Sequence, residues 1–120
     1  MLSIGLAHMK YILVLVAIAG IFLGDAAYSQ ESVPDLKDPQ MIAAGHELFV
    51  QRQCAHCHGA DGRGGVNLTR RELDAKGVFQ SIADGREKRG IRMPAWREVM
   101  TDEEIWKATA YVLSISQRPD

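Results

Sequence analysis

Residues 54–65 of this 120-residue chain read CAHCHGADGRGG, in which two cysteines separated by two residues are followed at once by a histidine. The spacing CxxCH is typical of haem c attachment, because two such thiols can add to the two vinyl groups of one haem and deliver the adjacent histidine to the iron. The four glycines that follow let the backbone turn sharply and pass close to a bound group. We therefore predict one covalent haem c, with Cys54 and Cys57 as attachment residues and His58 as an axial ligand of the iron.

A cysteine pair has three other common uses. Cys54 and Cys57 are the only cysteines of the chain. A tetrahedral zinc site needs four ligands, and no second pair with suitable spacing follows. A thioredoxin-like redox pair requires a βαβ context that is missing here, and a disulfide across two residues closes too small a loop to add much stability. The motif favours haem attachment, with zinc, redox and disulfide uses as alternatives.

The first quarter of the chain has the pattern of a targeting segment. Residues 11–24 read YILVLVAIAGIFLG without a charge, after Lys10 and before small residues that suit a cleavage site. Fourteen apolar residues fall short of the roughly 20 that cross a bilayer as a helix, which favours removal. We predict a signal peptide over 1–29, with an uncleaved anchor as the alternative, and export to the periplasm. Residues 30–38 then form a flexible lead-in, and 39–120 form the domain.

The folded part is predicted to begin with a helix. Asp38 is a good N-cap, and Pro39 suits the first helical position because its missing N–H costs nothing there. We expect this helix to run from Pro39 to about Gln53. Gly45 interrupts its apolar stripe, and a glycine on a buried helical face indicates that another backbone approaches closely.

Two further helices are indicated by local start and stop signals. A short helix is expected from Asp74 or Ala75 to Asp84, with Gly85 following its last residue. Thr101 and Glu104 form a capping box at the start of a last helix, which should run over 102–116. No strand-like alternation of convincing length is present, so the predicted fold class is all-α.

Met93 is the methionine best placed to complete the iron coordination. Methionine opposite histidine is the usual ligand pair of electron-transfer haem proteins. Met93 lies in the segment 86–97, predicted to be irregular, and the following Pro94 restricts it to an extended conformation from which its thioether can reach inward. Met41 and Met100 are explained by helix packing. We therefore predict that Met93 is the second axial ligand.

Two alternatives compete with this assignment. Met93 could merely fill the core. Ligation by a second histidine is the weaker option, because His46 is expected on the solvated side of the first helix and His56 is held inside the attachment loop, facing away from the iron. Trp96 either covers the haem edge or packs in the core, and it is not counted as a site residue.

The run CAHCHGADGRGG, the Met-Pro pair at 93–94 and the amphipathic C-terminal helix together resemble the small class I monohaem cytochromes c of bacteria, over residues 40–117. The resemblance implies a cytochrome c fold, in which the N- and C-terminal helices cross around the covalently bound haem. It also implies contact of Gly45 and Phe49 in the first helix with Tyr111 in the last.

One departure from the family pattern concerns the axial histidine. The family often has a proline shortly after the glycine loop, whose carbonyl accepts a hydrogen bond from that histidine. This chain has Val66-Asn67-Leu68 there. Because ring orientation depends on such a bond, the sequence leaves the partner of His58 open.

Charge is distributed unevenly along the chain. The formal net charge of −1 at pH 7 gives no global attraction to nucleic acid, and we predict no nucleic-acid partner. Between residues 85 and 98, five basic residues accompany two acidic ones. The basic ones are Arg86, Lys88, Arg89, Arg92 and Arg97. This segment either steers an acidic redox partner or compensates the haem propionates and is otherwise solvated.

These observations predict a periplasmic one-electron carrier that is not itself an enzyme. With His58 and Met93 both bound, the iron has no open position for substrate chemistry. One alternative is a ligand-binding or peroxidase-like haem protein with an open sixth position. Another is the cytochrome subunit of a dehydrogenase or oxidase complex. The expected partners are redox proteins, a dehydrogenase donor or an oxidase acceptor, with membrane contact only if residues 1–29 are retained. The chain is expected to act as a monomer or within a redox complex.

Overall fold

A computed structural model describes residues 32–117, so the predicted signal peptide over 1–29 lies outside the described residues. The described chain contains four helices and one two-stranded antiparallel sheet. In chain order the elements are α1 (Pro39–Gln51), α2 (Ala55–His58), α3 (Ala75–Asp84), β1 (Arg86–Lys88), β2 (Ile91–Met93) and α4 (Asp102–Ser116). None of these helices has the length and apolar character needed to span a membrane.

Helix α1 begins where the sequence predicts and ends two residues earlier than expected. The Asp38 side chain accepts a hydrogen bond from the Gln40 backbone N–H at 2.9 Å. Gln53 has a φ of 58°, a left-handed conformation through which an α-helix cannot continue. The backbone N–H of Cys54 then donates to the Phe49 carbonyl at 3.0 Å. The end of α1 therefore determines where the cysteine motif starts.

The most extensive contact between elements joins α1 to α4. Gly45 is buried at this contact, and a Cβ atom built on it would overlap the Lys107 carbonyl and lie 2.9 Å from the Cβ of Tyr111. Phe49, one turn further along α1, meets Tyr111 edge to face with ring centroids 5.1 Å apart. The close backbone approach that Gly45 predicts is confirmed, and so is the contact of Gly45 and Phe49 with Tyr111.

Helix α3 and the start of α4 complete one core. The Asp74 side chain caps α3 by accepting from the Gly77 N–H at 2.8 Å. The capping box of α4 is formed as predicted by Thr101 and Glu104, and it is preceded by a buried methionine. Helix α3 contacts α4, which places both around the same apolar cluster. The large apolar residues of this core are Phe49, Val78, Ile82, Met100, Ile105, Tyr111, Val112 and Ile115.

The segment after α3 differs from the prediction, because residues 86–93 form a β-hairpin and not irregular chain. Arg86 pairs with Met93, and Lys88 pairs with Ile91. The two residues between the strands both have positive φ, 54° at Arg89 and 79° at Gly90, as in a type I′ turn. Three-residue strands of mainly charged residues leave no apolar alternation to detect, so sequence periodicity could not find them.

Candidate haem site

Helix α2 is a single turn that carries the attachment motif. The backbone N–H groups of Cys57 and His58 both donate to the Cys54 carbonyl, at 3.3 and 3.1 Å. Residues at positions i, i+3 and i+4 of a helical turn lie on one face, so Cys54, Cys57 and His58 point to the same side. Both thiols are free. Two thiols and an imidazole on one face are the groups that haem c requires, and the chain therefore fits this cofactor.

The imidazole of His58 has a defined hydrogen-bond partner. Its Nδ1 atom lies 2.7 Å from the carbonyl oxygen of Val66. A carbonyl can only accept, so Nδ1 carries the proton and donates, which leaves the lone pair of Nε2 available to a metal. Val66 thus takes the place of the proline that the resemblance led us to look for. Any residue supplies a carbonyl, so the contact depends on the path of the loop and not on the residue type.

Backbone hydrogen bonds hold the glycine-rich loop against α2. The Gly64 N–H donates to the His58 carbonyl at 2.7 Å, and the Val66 N–H donates to the Cys57 carbonyl at 3.1 Å. The Leu68 N–H donates back to the Gly62 carbonyl at 2.8 Å. These bonds fix the Val66 carbonyl where His58 needs it, because the same residue is tied to α2 through its N–H.

The two cysteines differ in their surroundings. Cys54 is half-buried and contacts the hydrophobic core, whereas Cys57 is exposed. Burial raises the pKa of the Cys54 thiol above its ordinary value, and a backbone hydrogen bond and the positive charge of Arg52 offset this only in part. Cys54 therefore stays neutral at pH 7, which suits a thiol that faces apolar side chains.

An ion pair connects the chain just before the cysteines to the start of α4. The Arg52 Nη2 atom lies 3.4 Å from Glu104 Oε1, with about a third of each side chain exposed. The Thr101 N–H donates to Glu104 Oε2 at 2.8 Å and, together with Arg52, holds the pKa of Glu104 below its usual range. The capping signal at Thr101 predicts one of these contacts, but only the tertiary structure brings Arg52 to the same carboxylate.

Met93 lies at the end of β2 and contacts the same core as Cys54. Its side chain is half-buried, unlike those of the other hairpin residues, which are exposed. The ring of His58 also approaches this core, with its centroid 6.3 Å from that of Phe49. The structure therefore places Cys54 and Met93 at one core, with the ring of His58 near Phe49 of that core and Cys57 exposed. Met93 ligation itself stays a prediction.

The chain on either side of Met93 is attached to the end of α3. Before it, Gly85 has a φ of 71°, and a Cβ built there would lie 2.6 Å from the Met93 carbonyl oxygen. After it, the Trp96 N–H donates to the Ile82 carbonyl at 3.0 Å, and the Arg97 N–H donates to the Ala83 carbonyl at 3.1 Å. A non-helical methionine is thus held from both sides by backbone contacts.

Arg97 adds side-chain contacts to this attachment. Its guanidinium lies 3.0 Å from a carboxylate oxygen of Asp84 and 3.4 Å from one of Asp102. The hydrogen bond to Asp84 raises the pKa of Arg97. Arg97 therefore bridges the end of α3 and the start of α4. Sequence analysis counted it among the basic residues of the segment and missed this structural role, for which a lone arginine gives no local signal.

His46, a weaker candidate ligand from the sequence, and Trp96, expected to cover the haem edge or pack in the core, lie in different surroundings. His46 is exposed, as expected, and its ring lies 4.9 Å from that of Tyr111, so it contacts the α1–α4 interface. Trp96 is half-buried against the core, which agrees with its packing interpretation. Within residues 32–117, no group of three or more histidine, cysteine, aspartate and glutamate side chains could hold a metal ion, so the zinc alternative finds no ligand set there.

A helical turn with two thiols and an oriented imidazole, beside two crossing helices that meet at a glycine, defines a c-type cytochrome domain. A sequence profile of the family described as cytochrome C oxidase, cbb3-type, subunit III matches residues 40–112, and the chain belongs to this family. Its cofactor is therefore haem c with its iron, bound covalently.

Individual relatives agree with this membership. The chain is 38% identical over 98 residues to the cbb3-type cytochrome c oxidase subunit CcoP of Rubrivivax gelatinosus, covering 76% of this chain and 31% of the relative. It is 30% identical over 101 residues to subunit FixP of Sinorhizobium medicae, covering 70% of this chain and 35% of the relative. The chain thus spans about one third of the length of these curated relatives.

A solved structure supports the fold. The crystal structure of cytochrome CL from the marine methylotrophic bacterium Methylophaga aminisulfidivorans is similar to this chain with a TM-score of 0.56 and 28% sequence identity. The similarity covers 68% of this chain and 57% of that one. The fold of the described domain is therefore similar to that of a solved cytochrome.

Proposed function

We propose that the protein is a periplasmic one-electron carrier whose haem is attached through Cys54 and Cys57 and ligated by His58 and Met93. When bound, the haem supplies an Fe(III)/Fe(II) couple. The observation that carries the proposal is the hydrogen bond of 2.7 Å from His58 Nδ1 to the Val66 carbonyl. It leaves Nε2 unprotonated on the face that also presents the two thiols, and it prevents the ring from turning away.

Met93 would close the opposite side of the iron. Its backbone is held by the contacts at Gly85, Trp96 and Arg97, so the thioether can return to the same place through each cycle. Methionine opposite histidine raises the reduction potential of a haem. Because both axial positions are then filled, the domain transfers electrons without binding a substrate at the iron, and any enzymatic activity belongs to a protein that it serves.

A second candidate, a cytochrome subunit of an oxidase or dehydrogenase complex, is favoured by the names of the relatives. CcoP and FixP are described as oxidase subunits. For this chain, an oxidase or dehydrogenase partner is a proposal, since the chain covers about a third of the length of these relatives.

We propose that residues 1–29 are a signal peptide or a retained anchor, that 30–38 form a lead-in, and that 39–120 form the haem domain on the periplasmic side.

The carrier proposal is tested with the exported holoprotein. We expect a reversible one-electron titration, followed by the optical spectrum, and no binding of carbon monoxide to the ferrous form at neutral pH. Ready binding of carbon monoxide to the unmodified protein would instead assign an open sixth position and a ligand-binding or peroxidase-like role. A partner that copurifies in a fixed ratio and accepts electrons from the haem would assign the subunit role.

Gly85→Ala is expected to loosen Met93. The new Cβ would lie 2.6 Å from the Met93 carbonyl oxygen, so the chain at Met93 has to move. We expect imidazole to displace Met93 from the ferric iron with roughly tenfold higher apparent affinity, because an overpacked contact costs about 1–3 kcal/mol and about 1.4 kcal/mol is tenfold. The measurement is a spectroscopic imidazole titration.

Gly90→Ala is the matched control for this experiment. Gly90 also has a positive φ, 79°, but a Cβ there meets nothing within 4 Å. Gly90→Ala controls for the positive φ alone. Gly85 also has a ψ of 177°, a region essentially restricted to glycine, so its variant carries backbone strain in addition to the contact with Met93. Equal imidazole affinities in the two variants would show that Gly85 does not position Met93.

A further inference from the structure

The β-hairpin over residues 86–93, here called the basic hairpin, has an exposed surface. Every residue of β1 is exposed, and in β2 only Met93 is half-buried. Ile91 is 62% exposed, although it is a large apolar side chain. A Cβ added to Gly90 in the turn would meet open space. The hairpin therefore offers its tip to solvent while its last residue contacts the core.

The basic hairpin carries charge of the opposite sign to the rest of the chain. It holds four of the fourteen basic residues and one of the fifteen acidic residues, a local charge of +3. The remainder has ten basic and fourteen acidic residues, a charge of −4. An anionic partner is therefore attracted to this hairpin and repelled by the chain as a whole, which orients the encounter.

Most of these charges are not neutralised within the protein. In the described chain, Arg86, Lys88 and Arg89 have no carboxylate within ion-pair distance. Arg92 and Glu87 are 4.0 Å apart with side chains 83% and 65% exposed, an arrangement that contributes little. Some basic residues elsewhere on the surface are paired, whereas others, such as Lys37, Arg71 and Lys76, have no described ion pair. The paired ones include Arg52, Arg63, Arg97 and Lys107.

We propose that the basic hairpin is the docking site for a carboxylate-rich face of a partner protein. This inference rests on the proposed electron-carrier function, for which the partner is the electron donor or acceptor. The exposed Ile91 pairs with Lys88 across the hairpin and is followed by Arg92, and an apolar centre beside polar residues is the arrangement of a protein interface. Met93 ends the same hairpin, so a partner seated on it lies beside the residue proposed to ligate the iron.

The decisive variant removes the three unpaired charges together, as Arg86→Gln, Lys88→Gln and Arg89→Gln. The probe is a fluorescein-labelled peptide of glutamates with a central phenylalanine, and its binding to the holoprotein is followed by anisotropy at low ionic strength. We expect at least fivefold weaker binding, since each exposed ion pair contributes about 0.2–1 kcal/mol. At about 0.5 M salt the difference should disappear, because exposed charges are then screened.

The matched control changes the net charge by the same amount elsewhere, with Lys37→Gln, Arg71→Gln and Lys76→Gln. These side chains are exposed, and their described contacts do not include an ion pair. The control should bind the peptide within twofold of the unmodified protein. If the two triple variants weaken peptide binding equally, the effect comes from net charge and not from the hairpin, and the proposal is overturned.

Three further arms separate the alternatives. Ile91→Ser should weaken binding of the phenylalanine peptide but not of an all-glutamate peptide, and equal effects on the two peptides would overturn the apolar centre. The conservative pair Arg86→Lys and Arg89→Lys should retain binding. The protein could also bind phosphatidylglycerol vesicles more tightly than the peptide and lose this binding in the triple variant. That result would identify the hairpin as a membrane-binding surface and overturn the proposal.

The midpoint potential of the haem distinguishes a docking role of the basic hairpin from compensation of the haem propionates. A docking role leaves the potential of the triple variant unchanged. A clear shift of that potential together with unchanged peptide binding would mean that the basic residues compensate the propionates, and the proposal would fail. Failure of the carrier function is recognised by a separate measurement. The unmodified protein would bind carbon monoxide or titrate irreversibly, independently of whether it binds the peptide.

Discussion

Met93→Ala is expected to abolish the far-red charge-transfer band of the ferric protein and to let the ferrous form bind carbon monoxide. Removal of the thioether leaves one axial position open to water or an added ligand. Since methionine ligation raises the potential, we also expect the midpoint to fall by more than about 0.1 V, within the roughly 0.8 V range that axial ligands control. Optical spectra and a redox titration of the same samples measure all three effects.

Met41→Ala is the control for this prediction. Met41 is also a half-buried methionine, but it belongs to α1. This variant should keep the far-red band and a potential close to that of the unmodified protein, because only packing is lost. If Met93→Ala retains the band, Met93 is not the ligand and its core-filling interpretation stands. If Met41→Ala removes it, the ligand comes from α1.

Gly45→Ala is expected to destabilise the domain by about 1–3 kcal/mol net, reversing the sign that helix propensity predicts. At an open helical position the change from glycine to alanine stabilises by about 1 kcal/mol. Here the new Cβ would overlap the Lys107 carbonyl, which is backbone and cannot rotate away. Helices α1 and α4 have to separate, at a cost of about 1–3 kcal/mol or more for overpacking and with loss of the Phe49–Tyr111 contact. Urea unfolding of the holoprotein gives the difference.

Ala43→Leu tests whether this cost is specific to the helix contact. Ala43 is exposed on the same helix, so a larger side chain should change the free energy of unfolding by no more than about 0.5 kcal/mol. A stabilising effect of Gly45→Ala would contradict the close approach of α1 and α4. A destabilisation by Ala43→Leu of similar size would assign the effect to α1 as a whole.

Local signals account for much of what the sequence predicted correctly. The N-cap at Asp38 and the capping box at Thr101 and Glu104 act over three residues, so neighbouring positions contain all the information. The end of α1 was placed two residues too late because the left-handed Gln53 has no residue-type signal. Helix starts were therefore more predictable than helix ends.

The basic hairpin was missed for a different reason. Its stabilisation comes from backbone pairing between two three-residue strands and from attachment to α3, neither of which produces apolar periodicity. Arg89 at positive φ is also unusual for a turn residue, so the turn carried only its glycine as a signal. The charges themselves were visible in the sequence, but their lack of partners was not.

By itself, the sequence determined the cofactor chemistry, through the spacing of two thiols and an imidazole in CxxCH, and the helical class, through the start and stop signals of its helices. Only the tertiary structure decided which carbonyl orients His58, how Met93 is held and which basic residues have no partner. Each of these depends on a path through space. Val66 reaches His58 because the loop is tied to α2, and Arg97 contacts Asp84 and Asp102 because α3 and α4 pack together. Contacts between residues far apart in the sequence produce no local pattern of residue spacing, so sequence analysis alone cannot predict them.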